Sequence, residues 1–383
     1  MKVAFFTYYP LEYGGGVAKY FVEVTTGLKK RYKELDIEII TFNENTFNKI
    51  LFIYSLYFLG KQDKAKKEKN KRIKGKLFGI KYNRVGIFQL IKRLQQNDLI
   101  YTSNNLLEVL LLKFLIGYRK LPPVIYGFHI PSHYAQTGSL QSKFHNILYA
   151  SFIYKIALGG AYKLHVLNSF DEKRYSKYFE RKKVVKIYNP FDFKNFVQKE
   201  KKFSYKYYRN NKKFNILWVG RLTEQKGVDD LVELVNLINS SKYKNRIVWN
   251  VVGDGELKSD IESISIKWAN VNYYGYVTND FLPSIYKNNH LFITTSKWES
   301  FPYTLLEAQS FGLPVVAYDI HGIRDIVDNK KNGYLVETTN QFKNKIIQIV
   351  NGKVFDKSLI RGYIIKKFDI EDIYNRLHSL FVI

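Results

Sequence analysis

Two carboxylates stand eight residues apart in the segment 291–319, which reads L-F-I-T-T-S-K-W-E-S-F-P-Y-T-L-L-E-A-Q-S-F-G-L-P-V-V-A-Y-D. Glu299 lies in a short loop after an apolar strand pattern, and Glu307 lies in a helical pattern that a second strand pattern follows. Carboxylates accept hydrogen bonds from hydroxyl groups, and a helix N-terminus presents N–H groups to an anion. The segment therefore predicts a site for a ligand with hydroxyls and a phosphate. The alternative is a surface Glu followed by a helix-capping Glu.

Two cations follow the predicted strand 214–219, in the sequence G-R-L-T-E-Q-K-G. A strand, a tight turn and a helix would place Arg221 and Lys226 at the carboxyl end of a parallel strand, where ligands bind in open α/β sheets. Two cations there suit a diphosphate, because a guanidinium chelates phosphate oxygens in a fork. The alternative is a turn with ordinary surface cations.

Glycine turns follow two other predicted strands. One contains Gly253 in V-V-G-D-G, and the other contains Gly15 and Gly16 in Y-G-G-G-V, directly before a helical pattern. Glycine lets a backbone approach a ligand closely, and glycines at a helix N-terminus form a phosphate cradle. The chain lacks the Gly-x-Gly-x-x-Gly fingerprint, which argues against a dinucleotide-dependent enzyme.

Together these motifs resemble the signature of retaining GT-B glycosyltransferases of the family 4 type, also described as glycosyl transferases group 1. The resemblance is dense over 214–337 and sparse over 40–120. It implies a nucleotide-diphosphate sugar as donor. Arg221 and Lys226 would hold its diphosphate, and Glu307 would bind its ribose hydroxyls.

The resemblance also implies how the rest of the donor is held. Glu299 would bind hydroxyls of the donor sugar, and the backbone N–H groups of Tyr303 and Thr304 would face the diphosphate. Many family members have Gly where this chain has Pro302, which has no N–H to donate. The remaining contacts implied by the resemblance are Gly15, Gly16 and Gly253 near the phosphates, and Tyr276 and Val277 at the nucleobase.

His129 follows the predicted strand 124–128 and resembles the His that family members place near the transferred sugar. A structural role for this His is the alternative. The residues expected to act in catalysis are thus Glu299, His129, Arg221 and Lys226. The resemblance implies neither a metal nor a cofactor, since the two cations neutralise the diphosphate. No group of His, Asp and Glu has convincing metal-ligand spacing.

Strand and helix patterns alternate along the chain, as in α/β folds with parallel sheets. The expected fold is GT-B, with two Rossmann-like domains whose parallel sheets face across a cleft. We expect an N-terminal acceptor-binding domain over 1–190, a linker over 191–213, and a nucleotide-sugar-binding domain over 214–363. A final helix over about 364–383 would return to the first domain. Ser169 and Glu172 fit a capping box, which predicts a helix through Phe179.

The 383 residues carry a formal charge of +27, and 16% of them are aromatic. This balance predicts an anionic partner, which is nucleic acid, an anionic membrane surface or a phosphorylated substrate. The alternative is that part of the charge reflects compositional bias of the source genome. No helix-turn-helix, RNP or zinc pattern supports nucleic acid, and we expect none as a partner. Residues 61–84 are strongly cationic between aromatic runs, so 47–92 predicts either a solvated loop or a membrane-surface patch.

The chain contains no cysteine, which excludes disulfides and thiolate metal sites and fits a reducing cytoplasm. The N-terminal apolar run is too short for a signal peptide. The apolar run 50–59 is too short for a membrane span, and the run 106–116 is interrupted by Glu108 and Lys113. We therefore expect a cytoplasmic protein, peripheral on the inner face of the cell membrane.

The expected function is retaining transfer of a sugar, with a UDP-sugar favoured as donor, to a hydroxyl of a lipid-linked or membrane-associated glycan. The expected pathway is cell-surface polysaccharide biosynthesis, such as capsule or lipopolysaccharide. Alternatives are a GT-B relative with other chemistry, namely an epimerase, a phosphorylase or an inverting transferase, and, more remotely, a basic nucleic-acid-binding protein.

Overall fold

A computed structural model describes residues 1–11, 16–43, 45–46, 76–77, 79–117, 120–134, 140–198, 213–353 and 355–382. The chain forms two compact units. Unit 1 comprises Met1–Ser132, Phe144–Pro190 and Glu371–Ile383, and unit 2 comprises His133–Lys143 and Phe191–Ile370. Most of the predicted membrane-surface patch, 47–75, lies outside the described residues, as does Gly15. Among the described helices, none combines the length and hydropathy that a membrane crossing needs.

Unit 1 contains an eight-stranded sheet in the order β3-β4-β2-β1-β5-β6-β7-β8. All neighbours are parallel except β3, which pairs antiparallel with β4. The central strands are buried on both faces, which explains their nearly continuous apolar sequences. The strands are β1 (Lys2–Thr7), β2 (Asp36–Phe42), β3 (Lys76–Leu77), β4 (Ile80–Val85), β5 (Leu99–Ser103), β6 (Val124–Gly127), β7 (Lys163–Val166) and β8 (Val184–Lys186).

The helices between these strands supply the core of unit 1, which includes Leu90, Val109, Tyr154 and Tyr175. They are α1 (Gly16–Arg31), α2 (Ile87–Leu94), α3 (Leu106–Leu110), a π-helical segment (Leu111–Ile116), α4 (Leu140–Ala150), α5 (Phe152–Gly159), α6 (Ser169–Tyr175) and a 3-10 turn (Arg181–Lys183).

The predicted capping box at Ser169 is wrong. Asn168 is the N-cap residue of α6, because its backbone is extended and its side chain accepts a hydrogen bond from the Asp171 N–H at 2.9 Å. Ser169 is already helical, and α6 ends at Tyr175, short of the expected Phe179.

Unit 2 contains a six-stranded, fully parallel sheet in the order β11-β10-β9-β12-β13-β14. Its strands are β9 (Phe214–Val219), β10 (Ile247–Val252), β11 (Val271–Tyr273), β12 (Leu291–Thr294), β13 (Val315–Tyr318) and β14 (Gly333–Val336). Its helices are α7 (Phe193–Gln198), α8 (Val228–Asn239), α9 (Lys258–Lys267), α10 (Leu282–Lys287), α11 (Tyr303–Ser310), α12 (Thr339–Val350) and α13 (Lys357–Lys367), with 3-10 turns at Glu224–Lys226 and Lys244–Arg246.

The order of strands reverses in both sheets. In unit 2 the chain runs from β9 outward through β10 to β11, then crosses to β12 on the other side of β9. In unit 1 it crosses in the same way from β4 to β5 on the far side of β1. Such switch points open a crevice at the carboxyl ends of the two central strands, where open α/β sheets bind ligands. The predicted fold class, two Rossmann-like domains with parallel sheets, is confirmed.

The last helix, α14 (Ile370–Phe381), packs on unit 1 although it follows unit 2 in the chain. Its Tyr374 hydroxyl donates to the Glu23 carbonyl of α1 at 3.0 Å. Arg31 of α1 forms an ion pair with Glu371. The ring of Phe381 contacts Phe5 and Tyr101, with centroid separations of 5.5 Å in each case. The helix therefore completes the core beneath β1 and β5.

Candidate active site

The loops after β9 and β12 meet at the switch point of unit 2. The Thr295 hydroxyl donates to the Lys226 carbonyl at 2.8 Å, and the Lys297 N–H donates to the Gln225 carbonyl at 2.9 Å. The Gln225 side chain in turn donates to the Trp298 carbonyl at 3.2 Å. These bonds fix the two loops against each other, so Arg221, Lys226 and Glu299 are brought to the same place, as the sequence predicts.

Lys226 and Glu299 form a direct ion pair, in which the ammonium Nζ donates to carboxylate Oε1. Both side chains are largely buried, with 18% and 9% of their surfaces exposed. Arg221 is exposed nearby, and its guanidinium donates to the Gln225 side-chain carbonyl at 3.2 Å. The arrangement thus offers one cation already neutralised by a carboxylate and a second one open to solvent.

Glu307 lies in α11 and is buried. It accepts a hydrogen bond from the Tyr286 hydroxyl of α10 at 2.9 Å. Burial, and then the neighbouring Glu307 carboxylate, raise the pKa of Tyr286 well above its usual value, so the phenol keeps its proton. Pro302 is the N-cap residue of α11, and Tyr303 and Thr304 begin the helix, where backbone N–H groups have no partner within the helix.

Two glycines mark close backbone approaches around these loops. Gly253, after β10, has φ 144°, and a Cβ atom there would lie 1.8 Å from the Gly220 carbonyl oxygen. Gly322, after β13, has φ 82°, and a Cβ atom there would lie 2.4 Å from the Ser300 carbonyl oxygen. Only glycine fits both positions. The turn after β10 therefore packs against the loop after β9, and the turn after β13 packs against the loop after β12.

Tyr276 and Val277 follow β11. The ring of Tyr276 is 75% exposed, and Val277 is buried. The Gly253 N–H donates to the Gly275 carbonyl at 2.8 Å, which joins this turn to the turn after β10. Because adjacent strands lie about 4.8 Å apart, the predicted base, phosphate and sugar contacts follow one another along the sheet edge from β11 to β12.

In unit 1, His129 follows β6 and belongs to a chain of hydrogen bonds. The His165 Nε2 atom lies 2.8 Å from the Ile187 carbonyl, which can only accept, so Nε2 carries the proton. The Tyr101 hydroxyl lies 2.8 Å from His165 Nδ1 and 3.3 Å from the Tyr20 hydroxyl, and its single proton goes to the nearer acceptor, His165 Nδ1. His129 Nε2, 2.8 Å from the same hydroxyl, donates in its turn. This assignment leaves His129 Nδ1 with a lone pair.

Burial keeps both imidazoles neutral. It lowers the pKa of His165 to about 4, against a smaller opposing effect of the hydrogen bond to Ile187. It also lowers the pKa of His129 well below its usual value, and His165 adds to that effect. The ring of Tyr20 lies 4.0 Å from that of His129 between centroids. Neutral His129 can accept a hydrogen bond from a hydroxyl, but it is poorly suited to donate a proton from a charged ring.

Glu108 is a buried carboxylate at the crevice of unit 1, at a position for which the sequence predicts no site. It is fully buried beside the ends of β1 and β5. It accepts hydrogen bonds from the hydroxyls of Thr7, Thr102 and Ser103 at 2.8, 2.7 and 2.6 Å, and from two backbone N–H groups. Burial raises the pKa of Glu108, and these donors oppose the rise. In the sequence it only interrupts an apolar run, and no local motif signals its role.

The remaining predicted positions carry less information. Gly16 begins α1 and is exposed, and Gly15 lies outside the described residues. Gln225 accepts a hydrogen bond from Arg221, and Tyr286 donates one to Glu307, although the sequence motifs predict no role for either residue. Within the described ranges, no three His, Asp or Glu side chains are grouped so as to hold a metal ion.

The family described as Glycosyl transferases group 1 matches residues 199–377. A protein of the cps region of Klebsiella pneumoniae is 32% identical over 43% of this chain and 44% of its own length. The Escherichia coli UDP-Gal:alpha-D-GlcNAc-diphosphoundecaprenol alpha-1,3-galactosyltransferase is 27% identical over 76% of this chain and 78% of its own. The match thus spans less than half of the first relative and about three quarters of the second.

Among solved structures, Anabaena HepE in complex with UDP and glucose is similar, with a TM-score of 0.66, 17% identity, and 99% of each chain covered. At this identity the similarity concerns the fold. The predicted GT-B fold is confirmed.

Proposed function

We infer from the membership of residues 199–377 in the glycosyl transferases group 1 family that this chain moves a sugar from a nucleotide-diphosphate sugar to an acceptor hydroxyl in cell-surface polysaccharide biosynthesis. One observation carries the proposal. Arg221, Lys226 and Glu299 converge at the switch point of unit 2, beside the N-terminus of α11.

A UDP-sugar is the proposed donor. The order of contacts along the sheet edge suits an extended nucleotide sugar, with the base at Tyr276 and Val277 after β11 and the diphosphate at Arg221 and Lys226 after β9. The ribose would lie at Glu307 of α11, as the resemblance implies. The name of the E. coli relative includes UDP-Gal, and HepE was solved with UDP and glucose. Both support uridine over other bases.

In the proposed reaction the bond from the anomeric carbon to the diphosphate breaks, and its electron pair goes to the leaving diphosphate. Arg221, Lys226 and the N–H groups at the start of α11 stabilise this charge, because donors aimed at a developing charge act most strongly in the transition state. The acceptor oxygen bonds to the anomeric carbon on the face that the diphosphate leaves, and a donor phosphate oxygen takes its proton. The configuration is retained, and no protein nucleophile takes part.

Glu299 would orient the donor sugar through its hydroxyls. Its ion pair with Lys226 links the sugar and phosphate positions, so donor phosphate would share the ammonium with the carboxylate. His129 of unit 1 would accept a hydrogen bond from a ligand hydroxyl through the lone pair of Nδ1. It acts in binding and orientation, since its low pKa argues against general acid catalysis.

The proposed acceptor is a lipid-linked or membrane-associated glycan. The name of the E. coli relative describes a diphosphoundecaprenol acceptor, and the charge of +27 suits an anionic membrane surface. Analysis of the product anomer separates retaining transfer from an inverting transferase, an epimerase or a phosphorylase.

The proposal is tested by ligand-observed NMR of intact UDP-, GDP- and ADP-sugars with the purified protein and with Arg221→Ala. We expect selective binding of the UDP-sugar, and loss of at least roughly tenfold in affinity in the variant, since a charged hydrogen bond contributes about 1.5–3 kcal/mol. Folded protein that binds none of the three donors would contradict the proposal.

A further inference from the structure

Helices α4 and α5 expose large apolar side chains on one side of unit 1. Phe152 and Ile153 are 75% and 63% exposed, and their neighbours Phe144, Ile147 and Ile156 are exposed as well. We call these five residues the α4–α5 face. The opposite side of α5 buries Tyr154, Ala157 and Leu158 in the core of unit 1. Because α5 carries apolar side chains on both of its sides, folding leaves those of the outer side exposed, and large open apolar patches mark sites of interaction.

Two further aromatic rings extend this face. Phe114 is exposed on the π-helical segment, which packs against α5. Tyr178 is exposed after α6, and its ring lies 3.8 Å from the Lys155 ammonium of α5. Exposed aromatic rings thus also lie on two neighbouring segments that contact α5.

The segment that forms the α4–α5 face carries only positive charge, and Glu180, two residues after Tyr178, is paired with Lys182. Residues 109–170, which include α4, α5 and the π-helical segment, contain six Lys or Arg residues and no Asp or Glu, although the chain has 34 acidic residues. Lys143 is exposed on α4 next to Phe144, and Lys155 lies between Ile153 and Ile156 on α5. Apolar and aromatic side chains interleaved with lysine suit the boundary between acyl chains and anionic headgroups.

The charge also argues against a second copy of this chain as the occupant. In a two-fold dimer the same surface lies on both sides, so lysines would face lysines with no acidic partner. An anionic bilayer complements both properties at once. The lysines meet phosphate groups, and the apolar side chains leave water without being covered by protein.

We propose that the α4–α5 face docks unit 1 on an anionic lipid bilayer. That this face brings the enzyme to a lipid-linked acceptor rests on the proposed function. Binding of the face to a bilayer can be tested without any donor or acceptor, so the two proposals can fail separately.

The first test is co-sedimentation with vesicles of phosphatidylglycerol and phosphatidylcholine, and with vesicles of phosphatidylcholine alone. The wild-type chain should bind the anionic vesicles, and binding should fall as salt is raised, because screening weakens attraction to the headgroups. The double variant Phe152→Ser/Ile153→Ser should bind about tenfold or more weakly, since each lost side chain gives up apolar burial. Ile266→Ser/Leu359→Ser is the matched control, because these side chains of unit 2 are 87% and 71% exposed.

The absence of cysteine permits a direct second test. Ile153→Cys and Ile266→Cys each provide one thiol for an environment-sensitive dye. With anionic vesicles the dye at position 153 should shift to shorter wavelength and gain intensity, and the dye at position 266 should not change.

Equal binding by the wild-type chain and Phe152→Ser/Ile153→Ser, or unchanged dye emission at position 153, would overturn the proposal. A dimer that forms with rising concentration and is lost in this variant would overturn it too, and would assign the face to a second copy. The variant should bind UDP-sugar as the wild-type chain does. If the protein binds vesicles but no sugar donor, the proposed transferase function is contradicted and the proposed membrane contact is supported.

Discussion

Glu299 and Glu307 are held by different kinds of partner. Glu299 pairs with the Lys226 ammonium, whereas Glu307 accepts from the neutral Tyr286 hydroxyl. A phosphate that approaches Lys226 competes with the Glu299 carboxylate for the ammonium group. Phosphate binding would therefore weaken the ion pair between Lys226 and Glu299. A ribose hydroxyl that approaches Glu307 encounters a carboxylate whose orientation is already fixed by the hydrogen bond from Tyr286. Tyr286 is therefore a positioning residue for the proposed nucleotide site.

Replacing Tyr286 by Phe tests this role. The ring and its packing stay, and one hydrogen bond to a charged group is lost, which contributes about 1.5–3 kcal/mol. We expect UDP affinity to fall roughly tenfold in a calorimetric titration, with the expressed protein still folded. Tyr243→Phe is the control, since the Tyr243 hydroxyl instead pairs with Asn351 on an exposed part of unit 2. Equal affinity of Tyr286→Phe and wild type would remove the assigned role.

The pKa of His165 predicts how stability depends on pH. It is about 4 in the folded chain, against roughly 6.5 for an unfolded His. The unfolded state therefore binds more protons between these values. The stabilisation is fully present above pH 6.5 and is lost as pH falls towards 4, by at most about 3 kcal/mol. His129 contributes in the same direction.

His165→Gln separates this contribution from others, because the amide can still donate to Ile187 and accept from Tyr101. Urea unfolding at pH 7 and pH 5 should show a smaller loss of stability in the variant than in the wild type. The raised pKa of Asp230, about 6, works in the opposite direction and is common to both proteins. Parallel pH dependences would contradict the prediction.

The residues predicted from sequence are those with local motifs. Arg221, Lys226 and Glu299 lie in turns directly after apolar strands, and the structure brings them together. The partners of the buried carboxylates Glu307 and Glu108 carry no such signal. Tyr286 contacts Glu307 across 21 positions, and Thr7 contacts Glu108 across 101. Such pairs depend on the strand order, which no local pattern specifies.

At the scale of elements, the same substitution should have opposite effects in a turn and in a helix. Gly253→Ala places a Cβ atom against the Gly220 carbonyl at a positive φ, and should destabilise the protein by roughly 2 kcal/mol or more. Gly362 lies within α13 with open space around it, so Gly362→Ala should stabilise by about 0.5–1 kcal/mol. Denaturant unfolding measures both, and effects of the same sign would contradict this interpretation.

Strands and long helices were predictable, and irregular elements were not. The strand that follows α11 starts at Val315 and not at the preceding Pro314, since proline has no N–H for the ladder. The final helix, expected over about 364–383, begins only at Ile370, because α13 ends at Lys367. The π-helical segment Leu111–Ile116 follows α3 directly, and the apolar pattern continues through both. The sequence therefore does not indicate where the α-helix changes to a π-helix.

At the scale of the whole molecule, α1 and α14 bring distant parts of the chain into contact. A Cβ atom at Gly27 would lie 1.9 Å from the Tyr374 hydroxyl. Gly27→Ala should therefore destabilise the protein by about 1–3 kcal/mol through overpacking. In a Tyr374→Ala background the added methyl group has room, so the two effects should not add, and the coupling should exceed about 0.5 kcal/mol.

Chemical denaturation of the four proteins in this cycle gives the coupling. Gly159→Ala serves as the uncoupled control, since open space surrounds Gly159 at the end of α5. Additive effects of Gly27→Ala and Tyr374→Ala would show that α14 does not press on α1 in solution.

The position of α14 also sets an order of events during synthesis. Its Phe381 packs on Tyr101, the residue that joins His129 to His165. These three residues leave the ribosome long before Phe381 does. At about 5–20 residues per second, translation of the intervening part of unit 2 takes roughly 10–40 s. During that interval the apolar side chains that α14 covers in the folded protein, Phe5 and Tyr101 among them, lack that cover. The imidazole and phenol groups of its crevice therefore reach their final burial only after most of the second unit has been made.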